Sequence, residues 1–297
     1  MDFTQLRAFV TVAREGNLTR AAERLHVTQP AVSLQIKALQ ESLNLQLFSR
    51  SASGMTLTND GAKLLPYAER VLSCLVEFRQ ASNSLHSTLS GELAIGTILD
   101  PEFTRLGAFL KRLVETYPQL STRLQQGMSG SVLQQIRAGS LDVGFYIGEA
   151  PDDGKTPVYS VVLTNFTYRV VAPSGWNKRV LGQSWQSLAQ LPWIWTPPES
   201  AHNRLLTKIF AELNLTPNKV ALVDQEPSML DLVKSGVGLS LIRDAIAIRE
   251  AHAHGLVIAD AVSVETQLCI ICQEKRKNEA MIAASFELIK QCWQLLI

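Results

Sequence analysis

The sequence predicts two parts of different class joined by one long helix. The first is a small, mainly α segment built around a helix-turn-helix; the second is a larger α/β part made of two units. Three patterns carry this expectation. Apolar residues recur at helical spacing through about the first sixty positions. Between Asn59 and Leu89 they alternate in steps of four and three. Beyond Gly91, short apolar strands take turns with helices.

With 297 residues the chain exceeds what one compact core usually supports, so more than one domain is expected. An apolar content of 46% and a charged content of 19% describe a globular chain, not a disordered one. The net charge of +1 excludes nucleic-acid binding by bulk charge, so such an activity must come from a local motif. Met1-Asp2-Phe3-Thr4-Gln5-Leu6-Arg7 holds polar residues where a signal peptide has its apolar run. No apolar stretch reaches the roughly 18 residues that a membrane helix needs, so a cytoplasmic protein with no membrane partner is expected. Cys269 and Cys272 lie three apart in an apolar, strand-like run, which sends them to opposite faces. That spacing favours packing over redox or zinc chemistry. The five histidines form no His-x-x-x-His pair, and neither a Gly-x-Ser-x-Gly elbow nor a phosphate-cradling loop is present. No catalytic residue, metal or cofactor is therefore expected.

In the first segment, apolar residues at 3, 6, 9, 10 and 12 line one helix face, and Gly16-Asn17 breaks it. A second, alanine-rich helix follows from Thr19 to His26, its Ala21 and Ala22 small enough for another helix to approach. His26-Val27 makes the turn, Thr28 suits the N-cap of the next helix, and Pro30 falls in its first turn, where no N–H is needed. That third helix spans Gln29 to about Leu43. Val32, Ile36, Leu39 and Leu43 face inward, while Gln29, Ser33, Leu34, Gln35 and Lys37 face outward. Two short helices so joined form a helix-turn-helix, whose second N-terminus offers N–H groups to a phosphate while its outer side chains reach base edges. Gln and Ser suit base reading, and Lys37 and Arg50 suit phosphates. A helical bundle with a merely solvated polar face is the alternative.

The long helix carries Leu64, Ala68, Val71, Leu75, Phe78, Ser82, Leu85 and Leu89 in heptad register, with Thr58 as N-cap and Pro66 in the second turn. Such a seam predicts pairing with a second copy; packing on its own domain is the alternative.

Beyond it, Leu93 to Gly96, Leu120 to Gln125 and Asp142 to Tyr146 read as strands. They alternate with helices from about Pro101 to Thr116 and from Ser131 to Ala138, an order that predicts a parallel sheet covered by helices. A second series takes strands at 168–172, 193–195, 220–223 and 238–242, with helices at 202–213 and 227–234. A strand at 267–272 and a helix at 279–296 close the chain. Ligands of such sheets bind in the crevice outside the strand ends, near helix N-termini. Candidate ligand-binding residues are therefore Thr97, Ile98 and Leu99 after the first strand, and Met128, Ser129 and Ser131 after the second. From the other unit come Thr196, Ser200, His202, Asn203 and Gln225. Their hydroxyls and amides suit a small polar or carboxylate metabolite, although Asp100, expected to cap the first helix, opposes an anion. Ser131 and Ser200 also suit N-caps with no ligand.

The run Ala21-Ala22-Glu23-Arg24-Leu25-His26-Val27-Thr28-Gln29-Pro30-Ala31-Val32-Ser33 resembles the LysR-type winged helix-turn-helix. So do Ile36-Lys37-x-Leu39-Gln40-x-x-Leu43, Leu47-Phe48-x-Arg50 and Leu57-Thr58-x-x-Gly61. The resemblance implies that Thr28, Gln29, Pro30, Ser33, Leu34 and Lys37 face double-stranded DNA, with Arg50 to Leu57 forming the wing. Thr19, Arg20, Arg50 and Ser53 complete the expected DNA-binding set. It also implies a homodimer through the linker helix, tetramers, and a two-lobed effector domain resembling periplasmic binding proteins. Gly91-x-Leu93-x-Ile95-Gly96, Tyr117-Pro118, Gly139-x-Leu141-Asp142-Val143 and Gly236-Val237-Gly238-Leu239 match that domain. The expected division is a DNA-binding domain over 1–58, a linker helix over 59–90 and an effector-binding domain over 91–297. In the last, lobe I takes 91–162 and 268–297, and lobe II takes 163–267. The implied function is a sequence-specific transcription regulator controlled by a small-molecule effector. The alternative is a small-molecule binding protein or enzyme with a helical interaction domain.

The chain departs from the family pattern at Leu34, where Arg is frequent, and at Arg243, where Pro is common. It departs again at Ser51-Ala52-Ser53-Gly54-Met55, a wing poor in Lys and Arg. Fewer phosphate contacts release fewer counterions. The slope of log affinity against log salt is therefore expected to be shallower than for a relative with a basic wing; equal slopes would refute this.

Overall fold

In the N-terminal part, local caps set several of the helix boundaries. In the computed structural model, which describes residues 1–51, 54–86, 89–98, 100–152 and 154–293, helix α1 spans Phe3–Glu15. Ser53 and Leu99 lie outside the described residues, as does the side chain of Arg50. A capping box opens α1: the Gln5 N–H donates to the Asp2 carboxylate at 2.9 Å, and the Asp2 N–H donates to Gln5 Oε1 at 3.1 Å. Gly16 ends it in the left-handed conformation, φ 61°. Asn17 then caps α2 (Leu18–Leu25), accepting from the Thr19 N–H at 2.8 Å. Left-handed His26 closes α2, and α3 runs Gln29–Leu43. Strands β1 (Phe48–Ser51) and β2 (Gly54–Leu57) form an antiparallel hairpin, and α4 follows over Asn59–His86.

These elements share one core, in which Phe9 and Phe48 meet edge to face at 5.5 Å among Leu6, Val32, Ile36, Leu39 and Leu47. Gln40 on α3 ties in the hairpin, its Oε1 accepting from the N–H groups of Leu47 at 2.8 Å and Phe48 at 3.2 Å. Thr58 caps α4 as expected: its Oγ1 accepts from the Gly61 N–H at 3.0 Å and donates to the Gln46 carbonyl at 2.6 Å. Two expectations need correction. Thr28 occupies the N-cap position of α3 but makes no side-chain capping bond. At the start of the heptad run, Ala68 is buried in this domain's own core and Leu64 packs against it, together with Leu72. Farther along the heptad run, Val71 is exposed, and so is Phe78, 72% exposed.

The chain divides into two compact units, one running to Thr88 and one from Leu89 to Trp293. The second opens with β3 (Gly91–Thr97), α5 (Leu106–Thr116), β4 (Leu120–Gln126), α6 (Ser129–Ala138) and β5 (Val143–Ile147). It continues with β6 (Val158–Ala172), α7 (Asn177–Val180), α8 (Trp185–Ala189), β7 (Pro192–Trp195), α9 (Ala201–Glu212) and β8 (Asn218–Leu222). The last elements are α10 (Glu226–Lys234), β9 (Ser240–Arg243), α11 (Asp244–His254), β10 (Val257–Gln273) and α12 (Ala280–Cys292).

One sheet has the order β4-β3-β5-β10-β6-β9, with β3 parallel to β4 and β5; β10 is antiparallel to both its neighbours. Parallel β7 and β8 join β9 through a bridge between Trp193 and Leu239. The long strands β6 and β10 run through two separate cores. One gathers Val132, Ile136, Tyr146 and Cys269, the other Val171, Ile194, Met229 and Ile242. Between them the pairing slips: Leu268 faces Thr164 while Cys269 faces Val162, leaving Leu163 as a bulge. Cys269 and Cys272 are buried and unbridged, and burial pushes the Cys272 thiol up to about 12. Among the described residues no helix is long and apolar enough to cross a membrane.

Helix α5 begins at Leu106, later than expected. Residues 101–105 form turns, because Asp100 accepts from the Phe103 N–H at 2.9 Å and the Thr104 hydroxyl bonds the Asp100 carbonyl at 3.0 Å. Asp100 thus caps this turn and not the helix. Helix α6 begins at Ser129, so Ser131 lies inside it and is no N-cap. The short helices α7 and α8, helix α11 and the first half of β10 were not foreseen.

Gly61 explains its place in the N-terminal motif, since a Cβ there would meet the Leu47 carbonyl oxygen at 2.2 Å. Helix propensity alone would make Gly61→Ala stabilising by about 1 kcal/mol. The clash reverses the sign, and a loss of about 2 kcal/mol is expected by urea unfolding. An unchanged or raised midpoint would reject the close approach.

Candidate functional site

Two surfaces gather the chemistry. On α3, Gln29, Pro30, Leu34 and Lys37 are exposed, with Leu34 68% exposed, and Ser33 and Gln35 are half-buried on the same outward side. Thr19, Arg20 and Thr28 are exposed beside them, and the Arg20 guanidinium bonds the Glu15 carbonyl. Lys37 lies 3.8 Å from Glu41 in an open i,i+4 pair that solvent screens heavily. Because Thr28 offers no hydroxyl to the first turn of α3, the N-terminal N–H groups there keep their need for an outside acceptor.

The second surface is a cavity of about 70 Å³ in the larger unit. Ile98, Met128, Ser129, Thr196, Ser200 and His202 line it, as the strand-end rule suggested. Thr97, Ser131, Asn203 and Gln225 do not. The Thr97 hydroxyl bonds the Ile98 carbonyl at 3.2 Å, and Asn203 Nδ2 donates to the Thr196 carbonyl at 2.5 Å, fixing its neighbour rather than facing the space. Gln225 is exposed at the start of α10.

Sequence reasoning missed Phe103, Tyr168, Asp224, Glu226 and Arg243, all of which line the cavity with Asp100. Arg243 carried one readable signal, a charge at the end of a strand where relatives commonly have Pro.

Closure of the two halves builds this cavity. The Gly130 N–H donates to the Glu199 carbonyl at 2.7 Å, and a Cβ on Gly130 would come within 2.7 Å of the same oxygen. Arg204 reaches across from α9, donating to Ser129 Oγ at 3.1 Å, to the Ile147 carbonyl at 2.9 Å and to the Glu199 carbonyl at 3.0 Å. Its guanidinium also lies 4.8 Å from the Tyr146 ring centre. Ser200 caps α9 by accepting from the His202 N–H at 3.1 Å.

Arg243, 11% exposed, contacts the Asp100 carboxylate directly and lies 4.3 Å from the Phe103 ring centre. Its Nε is 3.9 Å from Glu226 Oε1, an ion-pair distance but no hydrogen bond. Burial raises the Glu226 carboxyl pKa, an effect that Arg243 partly offsets. His202 packs edge-on against Tyr168 at 4.6 Å. Burial first, then the positive Arg243 and Arg204, lower its pKa to about 4, so the ring is neutral at pH 7.

Residues 3–62 match the model of the bacterial regulatory helix-turn-helix proteins of the lysR family, and residues 86–294 match the LysR substrate binding domain. The chain belongs to the LysR family. It is a DNA-binding transcription regulator with an effector-binding domain. Among its relatives, the transcriptional regulator ClcR of Pseudomonas putida is 28% identical over 253 residues, covering 83% of this chain and 84% of ClcR. Full-length BenM shares the fold, with a TM-score of 0.54 and 23% identity over 99% of this chain and 97% of BenM. The effector binding domain of QuiR in complex with shikimate does so at a TM-score of 0.57 and 14% identity, over 70% of this chain and all of that domain.

Neutral His202 links this LysR-type regulator's stability to pH. Its folded pKa lies below the ordinary 6.5, so the unfolded chain binds the proton more readily. The associated stability is present above pH 6.5 and is lost as pH falls toward 4. Between pH 7 and pH 5 the loss attributable to His202 is about 2 kcal/mol. Urea unfolding at both pH values should show a smaller pH effect in His202→Gln; equal pH effects would place the ring in a different state.

Proposed function

We propose that this regulator reads DNA with the outward side of α3 and answers to a small molecule bound in the cavity beneath Arg243. The carrying observation is a polar, solvent-facing α3 whose opposite side is fixed by the core and whose N-terminus lacks a side-chain cap. Gln29 and Ser33 read base edges, Leu34 offers an apolar contact that suits a thymine methyl, and Lys37 holds a phosphate. Thr19, Arg20, Thr28 and Pro30 border the same side, with Arg50 and Ser53 supplied by the wing. The protein acts in the bacterial cytoplasm without a catalytic step of its own.

Pairing of two copies through α4 presents two such helices to a two-fold DNA site. Val71, Leu75 and Phe78, beyond the segment that the domain's own core uses, form the paired stripe. Tetramers would join two such dimers. Effector binding then shifts the balance between two arrangements of the assembly, which requires that it bind one of them more tightly.

Binding to the DNA upstream of the protein's own gene tests both parts. Gln29→Ala should weaken specific binding about 5- to 100-fold while leaving binding to unrelated DNA nearly unchanged. Phe78→Asp should yield monomers in light scattering and abolish specific binding. Wild-type affinity in Gln29→Ala would displace α3 as the reading helix, and a persisting Phe78→Asp dimer would displace α4 as the interface.

A further inference from the structure

We infer that the effector carries a primary ammonium group, received by Glu226, Thr196 and His202. The inference rests on the reading of the cavity as the effector site. Charge is the first ground. Among the described lining residues, the carboxylates of Asp100, Asp224 and Glu226 face the single guanidinium of Arg243, a surplus of two negative charges with His202 neutral. Arg243 is already engaged by Asp100. An anion would have to break that pair and then lie among three carboxylates, whereas a cation meets the surplus directly.

Unfilled hydrogen bonding is the second ground, and it is independent of charge. Thr196 and His202 are 4% and 8% exposed, and Thr196 Oγ1 and His202 Nε2 have no hydrogen-bond partner among the described residues. Glu226 Oε1 is likewise buried without one. Polar atoms at such depth are normally paired, so three of them around one cavity mark positions that a ligand completes. Each can accept: a carboxylate oxygen, a hydroxyl oxygen, and the bare nitrogen of a neutral imidazole. An ammonium group has three N–H donors and no acceptor, which matches that set. A carboxylate ligand brings acceptors only.

The cavity wall also holds a cation already. The Arg243 guanidinium lies 4.3 Å from the Phe103 ring centre and in contact with Asp100, so carboxylate and aromatic groups here form a cation-accepting environment. The volume of about 70 Å³ is that of about two waters, so the effector, or the part of it that enters, is a small amine.

Propylammonium and propionate are matched probes of near-equal size and opposite charge. Ligand-observed NMR on the full chain at pH 7 should show saturation transfer to propylammonium and none to propionate. Glu226→Gln, which keeps shape while removing charge, should weaken the amine at least tenfold. Asp224→Asn, at an exposed position, gives a milder loss of about two- to fivefold and serves if Glu226→Gln fails to fold. Preference for propionate would overturn the ammonium assignment while leaving a small-molecule site in place. Binding of neither probe would also overturn the assignment. Amine binding that survives both substitutions unchanged would place the amine outside this cavity and overturn it too. The effector-site reading fails separately, if no metabolite raises the melting temperature of the full chain.

Discussion

Arginine side chains that bridge the two halves of the larger unit are the constraint on which its cavity depends. Arg204 spans from α9 to Ser129 and Ile147, and Arg243 spans from β9 to Asp100. A guanidinium suits this work because its fork of donors can satisfy several oxygens from one rigid plane. With the lobes drawn together, His202, Thr196 and Glu226 leave bulk water. Burial then keeps the imidazole neutral and raises the Glu226 carboxyl pKa. The same closure leaves Thr196 Oγ1, His202 Nε2 and Glu226 Oε1 without a hydrogen-bond partner among the described residues.

The DNA-binding unit follows a different logic. The outward side of α3 is largely exposed, and the side behind it packs into the core. Val32, Ile36 and Leu39 anchor α3, Gln40 holds the hairpin strand by two backbone N–H groups, and Gly61 lets α4 approach the Leu47 carbonyl. Reading residues on a rigid helix lose little further freedom on binding.

Legibility in the sequence tracked how local each cause is. Helices α1 to α3 were readable because caps and apolar spacing lie within a few residues of one another; α3 follows the predicted Gln29–Leu43 span. The heptad run was readable as a pattern but not in its use, because sequence spacing cannot say that Ala68 and Leu64 turn toward the domain core. Near Asp100 a side chain competed with the helix and delayed α5 by several residues. Ile98, Met128, Ser129, Thr196, Ser200 and His202 followed from the rule that ligands gather at strand ends. Phe103, Tyr168, Glu226 and Arg243 did not. Tyr168 and Arg243 reach the cavity through the pairing of β6, β9 and β10, Phe103 through the 101–105 turns, and Glu226 through α10 packed on β9, which are long-range facts.

Control of DNA binding by cavity occupancy is most directly tested by footprinting the regulator on the DNA upstream of its own gene. The footprint and DNA bend are compared with and without a ligand that raises the protein's melting temperature. Occupancy should change the length of the protected region, the bend or the affinity. A ligand that stabilises the protein by about 2.7 kcal/mol, as expected at about a hundred times its dissociation constant, yet leaves all three unchanged would contradict ligand control.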